Sequence, residues 1–173
     1  MKLIFLDIDG VLNSHPWMQT LPKLKLGTTL EWGAMIDPTA VERLNRIVDA
    51  TGAAIVVSSS WRNFLTVAQL RAILKERGFH GLVIASTPRD EEFPPNCERG
   101  TQIDAFLKTF KVECGSNCDC VNFYQIESFV ILDDDADMAP HMDHLVRTTF
   151  ATGLQDEHVE QAIAMLSIKH KGE

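Results

Sequence analysis

Two aspartates one residue apart, Asp7 and Asp9, close the first apolar run of the chain, and Gly10 follows them. In an extended segment alternate side chains share a face, so both carboxylates would point the same way if the strand ran through them. Two carboxylates that close repel, and each raises the pKa of the other unless a cation or a hydrogen-bond network intervenes. Asp9-Gly10 is equally the signature of an ordinary turn. Two further stretches bear on the choice. "SSSWR" follows the apolar run at 53–57, and "DDDADM" follows the run at 129–132. Hydroxyls, a guanidinium and crowded carboxylates at the ends of apolar runs suit the handling of phosphate or of a divalent metal.

The elements that must position these groups alternate in type. Runs at 3–6, 53–57, 82–85, 129–132 and 145–149 read as buried strands. Asp37-Pro38 supplies an N-cap with proline at the first helical position, Val41, Leu44, Ile47 and Val48 form the apolar stripe behind it, and Gly52 stands where a C-terminal cap belongs. Further helices are expected at about 64–77, stopping at Gly78, at about 98–110, and at 155–168. Strands alternating with helices imply an α/β fold: a Rossmann-like open parallel sheet of about five strands with helices on both faces. In such sheets the active site lies beyond the carboxyl ends of the strands, where Asp7, Asp9, the serine triplet and the late aspartates fall.

Composition narrows the class. The 173 residues fit a single domain spanning 1–173, with 45% apolar and 23% charged residues. A net charge of −8 argues against broad neutralisation of duplex phosphates. No apolar run approaches the ~20 residues that span a bilayer, and the N-terminus reaches Asp7 too soon for a signal peptide, so a cytoplasmic protein without membrane contact is expected. Four cysteines then read as reduced thiols or metal ligands.

"FLDIDGVLN", "IVVSSSWR" and "VILDDDADM", in that order and each at a strand end, resemble motifs I, II and IV of the haloacid dehalogenase (HAD) superfamily. With the late "GLQDEH" segment, the chain is most similar to the HAD domain associated with Swiss Army Knife RNA-repair proteins. The resemblance implies a HAD fold and a phosphomonoester hydrolase that works through an aspartyl-phosphate. Asp7 would be the nucleophile, and Asp9 would protonate the leaving oxygen and then activate water. Mg²⁺ would offset the repulsion between carboxylate and phosphate, held by Asp7, the backbone carbonyl of Asp9 and a motif IV aspartate. Asp134 is the expected direct ligand, with Asp133 and Asp137 as supporting or alternative ligands and Asp135 facing solvent.

Ser58 would hydrogen-bond the phosphoryl oxygens, with Ser59 as the alternative, and Arg62 is a further phosphate contact. The superfamily's motif III lysine has no counterpart close behind the third strand. Arg99, at the start of a helix whose N-terminus also favours anions, is the expected substitute.

The gaps between motifs leave no room for a large cap. Residues 14–36 read as a short flap and 112–126 as an insertion containing cysteines. Cys97, Cys114, Cys118 and Cys120 offer four thiolates for zinc, although a surface insertion with free thiols fits the spacing better. An open site suits phosphorylated RNA or DNA ends, and Trp17, Trp32 and Trp61 offer faces for stacking or for packing. A small-metabolite or nucleotide phosphatase, and a non-catalytic HAD-like binding module of a repair complex, are the alternatives.

Overall fold

The computed structural model describes residues 1–21, 29–110 and 126–168, and in it the five apolar runs form one parallel sheet. The strands are β1 (Lys2–Leu6), β2 (Ala54–Val57), β3 (Val83–Ser86), β4 (Ser128–Asp133) and β5 (Leu145–Arg147). Their order across the sheet is β3-β2-β1-β4-β5, so β1 is central. From β1 the chain builds outward through β2 and β3, then returns to build β4 and β5 on the other side. The reversal lies between β1 and β4, the switch point at which an open α/β sheet leaves a crevice. Register makes that crevice chemical. Leu6 pairs with Val57 on one side and with Leu132 on the other. Asp7, Ser58 and Asp133 therefore leave the sheet side by side.

The period-2 pattern of the strands sorts the core into two layers. Ile4, Leu6, Ile55, Val57, Val130 and Leu132 pack on the apolar stripes of α3 (Pro38–Thr51), α4 (Val67–Glu76) and α6 (Asp156–Ser167). Leu3, Phe5, Ala54, Val56 and Ile131 meet Ile103 and Phe106 of α5 (Arg99–Thr109) on the opposite face. Each of the fully buried Leu and Ile side chains contributes about 1.5–3 kcal/mol relative to exposure. Phe5 packs edge-on against both Phe106 and Phe129, with ring centroids 5.6 Å apart in each case.

The helix starts follow local chemistry. The Asp37 carboxylate accepts from the Thr39 N–H at 2.8 Å ahead of Pro38, and Gly52 closes α3, as the sequence leads one to expect. The expected helix at 64–77 instead begins at Val67. Thr66 and Gln69 form a reciprocal capping box there, and Ser60–Asn63 make a short 3₁₀ turn that belongs to the strand end. Apolar periodicity alone hides that break. Within 14–36 the structure shows two short helices, α1 (His15–Thr20) and α2 (Thr29–Ala34). The 112–126 insertion lies, apart from Ile126, outside the described residues, as do Cys114, Cys118 and Cys120. Among the described residues no helix is long and apolar enough to cross a membrane.

Candidate active site

Alternation along β1 sends Leu3 and Phe5 toward α5, and Asp7 continues that series beyond the strand. Asp133 continues Ile131 in the same way on β4. Both carboxylates are thus buried at the end of an apolar face, and Asp133 is fully inaccessible. Asp134 turns toward the first loop, and side-chain oxygens of Asp7, Asp133 and Asp134 lie within 4.8 Å of one another. Gly10 makes this possible. Its φ of +73° suits glycine, and a Cβ there would overlap the Asp134 carboxyl group.

Burial is the main force on these acids. It pushes Asp133 up to about 8, with the Asp7 charge adding to the rise and Arg99 opposing it. Burial likewise raises Asp7, against the Arg99 charge and a hydrogen bond from the Ser59 hydroxyl. Asp134 is raised by its partial burial and then by neighbouring Asp135. Asp133 Oδ2 is buried without a hydrogen-bond partner. Three converging carboxylates, two of them buried and one with an oxygen that accepts no hydrogen bond, fit a divalent cation such as Mg²⁺, which takes oxygen ligands. Asp137, read as an alternative ligand, stands outside this trio. Its Oδ2 accepts the Arg99 backbone N–H at 3.0 Å. Asp135 is exposed.

Arg99, the first residue of α5, supplies the cation that the chain itself contributes. Its Nη1 lies 3.2 Å from Asp7 Oδ2 and 3.2 Å from Asp133 Oδ2, and donates to the Ser58 carbonyl at 2.8 Å. Burial works against its charge, but Asp7, Asp133 and Asp137 together hold the proton more firmly than usual. The helix start is docked on the late aspartate loop. Gly100 N–H donates to the Asp137 carbonyl at 3.0 Å, and a Cβ on Gly100 would overlap the Met138–Ala139 backbone.

Asp9 is held separately. Its Oδ1 accepts from Asn13 Nδ2 at 2.7 Å and its Oδ2 from Trp61 Nε1 at 3.0 Å. Asn13 Oδ1 in turn accepts the Gly10 N–H at 2.9 Å, which orients the amide. Thr148 completes the loop, donating through Oγ1 to the Gly10 carbonyl and through its N–H to the Asp133 carbonyl. None of Asn13, Trp61 and Thr148 was singled out for these contacts by the sequence. Asn13 alone left a signal there, four residues after Asp9 in the first loop.

The serines divide. Ser58 Oγ is buried with no partner, so it is available to a ligand, whereas Ser59 is committed to Asp7 and to the Trp61 N–H. Arg62, expected at the phosphate, directs its donors into the chain itself. Its side chain is 2% exposed, and its donors go to the carbonyls of Ser58, Ser59 and Pro88, to Gln102 Oε1 and to Asp90. This pins the 88–97 loop to the strand ends. A cleft of about 240 Å³ lies between that loop and α5, bordered by Arg99, Asn96, Cys97 and Asp137. Cys97 is a free, partly buried thiol.

A family model described as the HAD domain in Swiss Army Knife RNA repair proteins matches residues 3–159. No curated protein and no solved structure matches the chain.

Proposed function

The chain belongs to the family of HAD domains found in Swiss Army Knife RNA repair proteins, and from that premise we propose that it is a phosphomonoester hydrolase acting on phosphorylated nucleic-acid ends. The observation that carries the reading is the convergence of Asp7, Asp133 and Asp134, with Asp9 oriented beside them by two donors. Asp7 and Asp134, supported by Asp133 and the Asp9 carbonyl, would hold Mg²⁺. When bound, the cation screens the charge between carboxylate and phosphate and polarises a phosphoryl oxygen.

The residues then divide the work. An Asp7 oxygen attacks phosphorus, the bond to the leaving oxygen breaks, and Asp9 gives that oxygen its proton. The aspartyl-phosphate is opened by water, whose proton passes to Asp9 while the bond between Asp7 and phosphorus breaks. Arg99 opposes the rise that burial imposes on Asp7 and Asp133, and offers its remaining donors to phosphoryl oxygens. The unpaired Ser58 hydroxyl is a second donor for them.

The end-phosphate substrate is supported by the family's association with RNA repair and by the short helices that stand where a large cap would otherwise sit. The test is phosphate release with Mg²⁺ from 3′- and 5′-phosphorylated oligonucleotides, free nucleotides and p-nitrophenyl phosphate. Higher kcat/KM on an oligonucleotide end than on the matching nucleotide is the expected result. A preference for free nucleotides or small metabolites would replace the substrate while leaving the chemistry in place.

A further inference from the structure

The indole N–H of Trp61 reaches across from the second strand end to the carboxylate of the first loop, 3.0 Å from Asp9 Oδ2. An indole nitrogen only donates, so this contact has one polarity. With Asn13 on the other oxygen, the two donors fix the plane of the Asp9 carboxylate rather than one atom of it. Trp61 itself has little freedom, being 2% exposed. It packs edge-on against Trp32 of α2, with centroids 4.6 Å apart. That helix is anchored by Trp17 Nε1 donating to the Ala34 carbonyl at 3.2 Å and by Arg77 Nε donating to the Gly33 carbonyl. The Trp61 backbone N–H is held by Ser59, whose hydroxyl bonds Asp7. One turn therefore touches both acids of the first loop.

We propose that Trp61 is a positioning residue for proton transfer by Asp9, set in place by the Trp32 ring of the segment between the first two strands. The inference rests on the phosphatase reading above. Proton transfer in the transition state requires the carboxyl oxygen to be aligned with the leaving oxygen, and an Asp9 held by Asn13 alone can turn out of that line.

Trp61→Phe keeps an aromatic ring beside Trp32 and removes the donor together with the second ring of the indole. The discriminating readout is kcat/KM on two monoesters that differ in their need for an acid. p-Nitrophenyl phosphate has a good leaving group, whereas a phosphorylated oligonucleotide end expels an alkoxide that must be protonated. The variant is expected to lose at least about tenfold more on the oligonucleotide than on the aryl ester. In an Asp9→Asn background the same substitution is expected to cost less than about twofold, because the group it positions is gone. Trp32→Leu, which keeps the N–H but removes its support, is expected to give the same pattern in smaller degree. Equal losses on both esters, or an undiminished loss in the Asp9→Asn background, would overturn the positioning role alone. A wild-type protein that turns over neither ester with Mg²⁺ would overturn the phosphatase reading and this inference with it.

Discussion

Arg99 Nη1 stands 3.2 Å from Asp7 Oδ2, and the same nitrogen is 3.2 Å from Asp133 Oδ2. One guanidinium thus bridges the ends of β1 and β4 across the switch point of the sheet. Its removal leaves two buried acids without their common partner. Arg99→Met is expected to destabilise the fold by about 3 kcal/mol at neutral pH, the order seen when one partner of a buried pair is deleted. It should also lower kcat/KM by about 10²–10³, the range for loss of a preorganised donor. Denaturant titration and steady-state kinetics check the two separately. Arg99→Lys should retain part of both, since a lysine keeps the charge but not the planar guanidinium that sets Nη1 among Asp7, Asp133 and the Ser58 carbonyl.

The buried acids give the metal-free protein a pH dependence of definite sign. Asp133 titrates at about 8 in the fold against an ordinary value of 3.8, so across that interval the native state holds a proton that the unfolded chain has released. Stability from this group is therefore fully present below the unfolded value and is lost as pH rises toward 8. Asp7 shifts in the same direction. Thermal unfolding in EDTA should show a Tm that falls between pH 5 and pH 8, less steeply in Asp133→Asn. On the proposed reading Mg²⁺ is held by the ionised acids, so its stabilising effect should grow over the same range. A Tm that rises with pH in EDTA, equally in both proteins, would contradict the assignment.

Gly10 carries two constraints at once, a positive φ and the nearby Asp134 carboxyl group. Gly10→Ala should cost about 1–3 kcal/mol from the strained backbone. Because the new methyl displaces Asp134, Mg²⁺ affinity measured by calorimetry should fall with it. A destabilised variant with unaltered affinity would show that Asp134 is not a ligand.

Arg62 should match Arg99 in its effect on stability and differ from it in catalysis. Its deletion takes the donor from the Pro88 carbonyl and Gln102 Oε1 and one of the donors from the Ser58 and Ser59 carbonyls and Asp90, so Arg62→Ala should lose about 3 kcal/mol of stability through weakened and unsatisfied polar groups. Below its reduced Tm, its KM for p-nitrophenyl phosphate should stay within about twofold of wild type, an expectation that follows from donors already spent inside the fold. A KM raised tenfold or more would return Arg62 to the phosphate site.

The sheet was readable from the sequence because its signal is strong and local. Five apolar runs are bounded by polar clusters, and Pro38 and Gly52 mark the ends of α3. Asp7, Asp9 and the late aspartates were visible as groups, since carboxylates at strand ends have few structural uses. What the sequence concealed was pairing between distant segments. Nothing in "SSSWR" says that its arginine turns back to clamp the 88–97 loop while its tryptophan reaches Asp9. Trp61 looks like any core aromatic until its N–H partner is known, and Thr148 looks like the tail of a short strand. The start of α4 was misplaced for a simpler reason. Thr66 and Gln69 form a capping box within a stretch whose apolar spacing continues past it.

The most direct test of the central claim is phosphate release by wild type and Asp7→Asn, side by side, with Mg²⁺ and with EDTA. The account predicts turnover by the wild type that EDTA abolishes, and a loss of at least about 10³ in Asp7→Asn, because an amide cannot form the phosphorylated intermediate. Metal-dependent turnover that survives in Asp7→Asn would contradict the assignment of Asp7 as the nucleophile and the mechanism built on it.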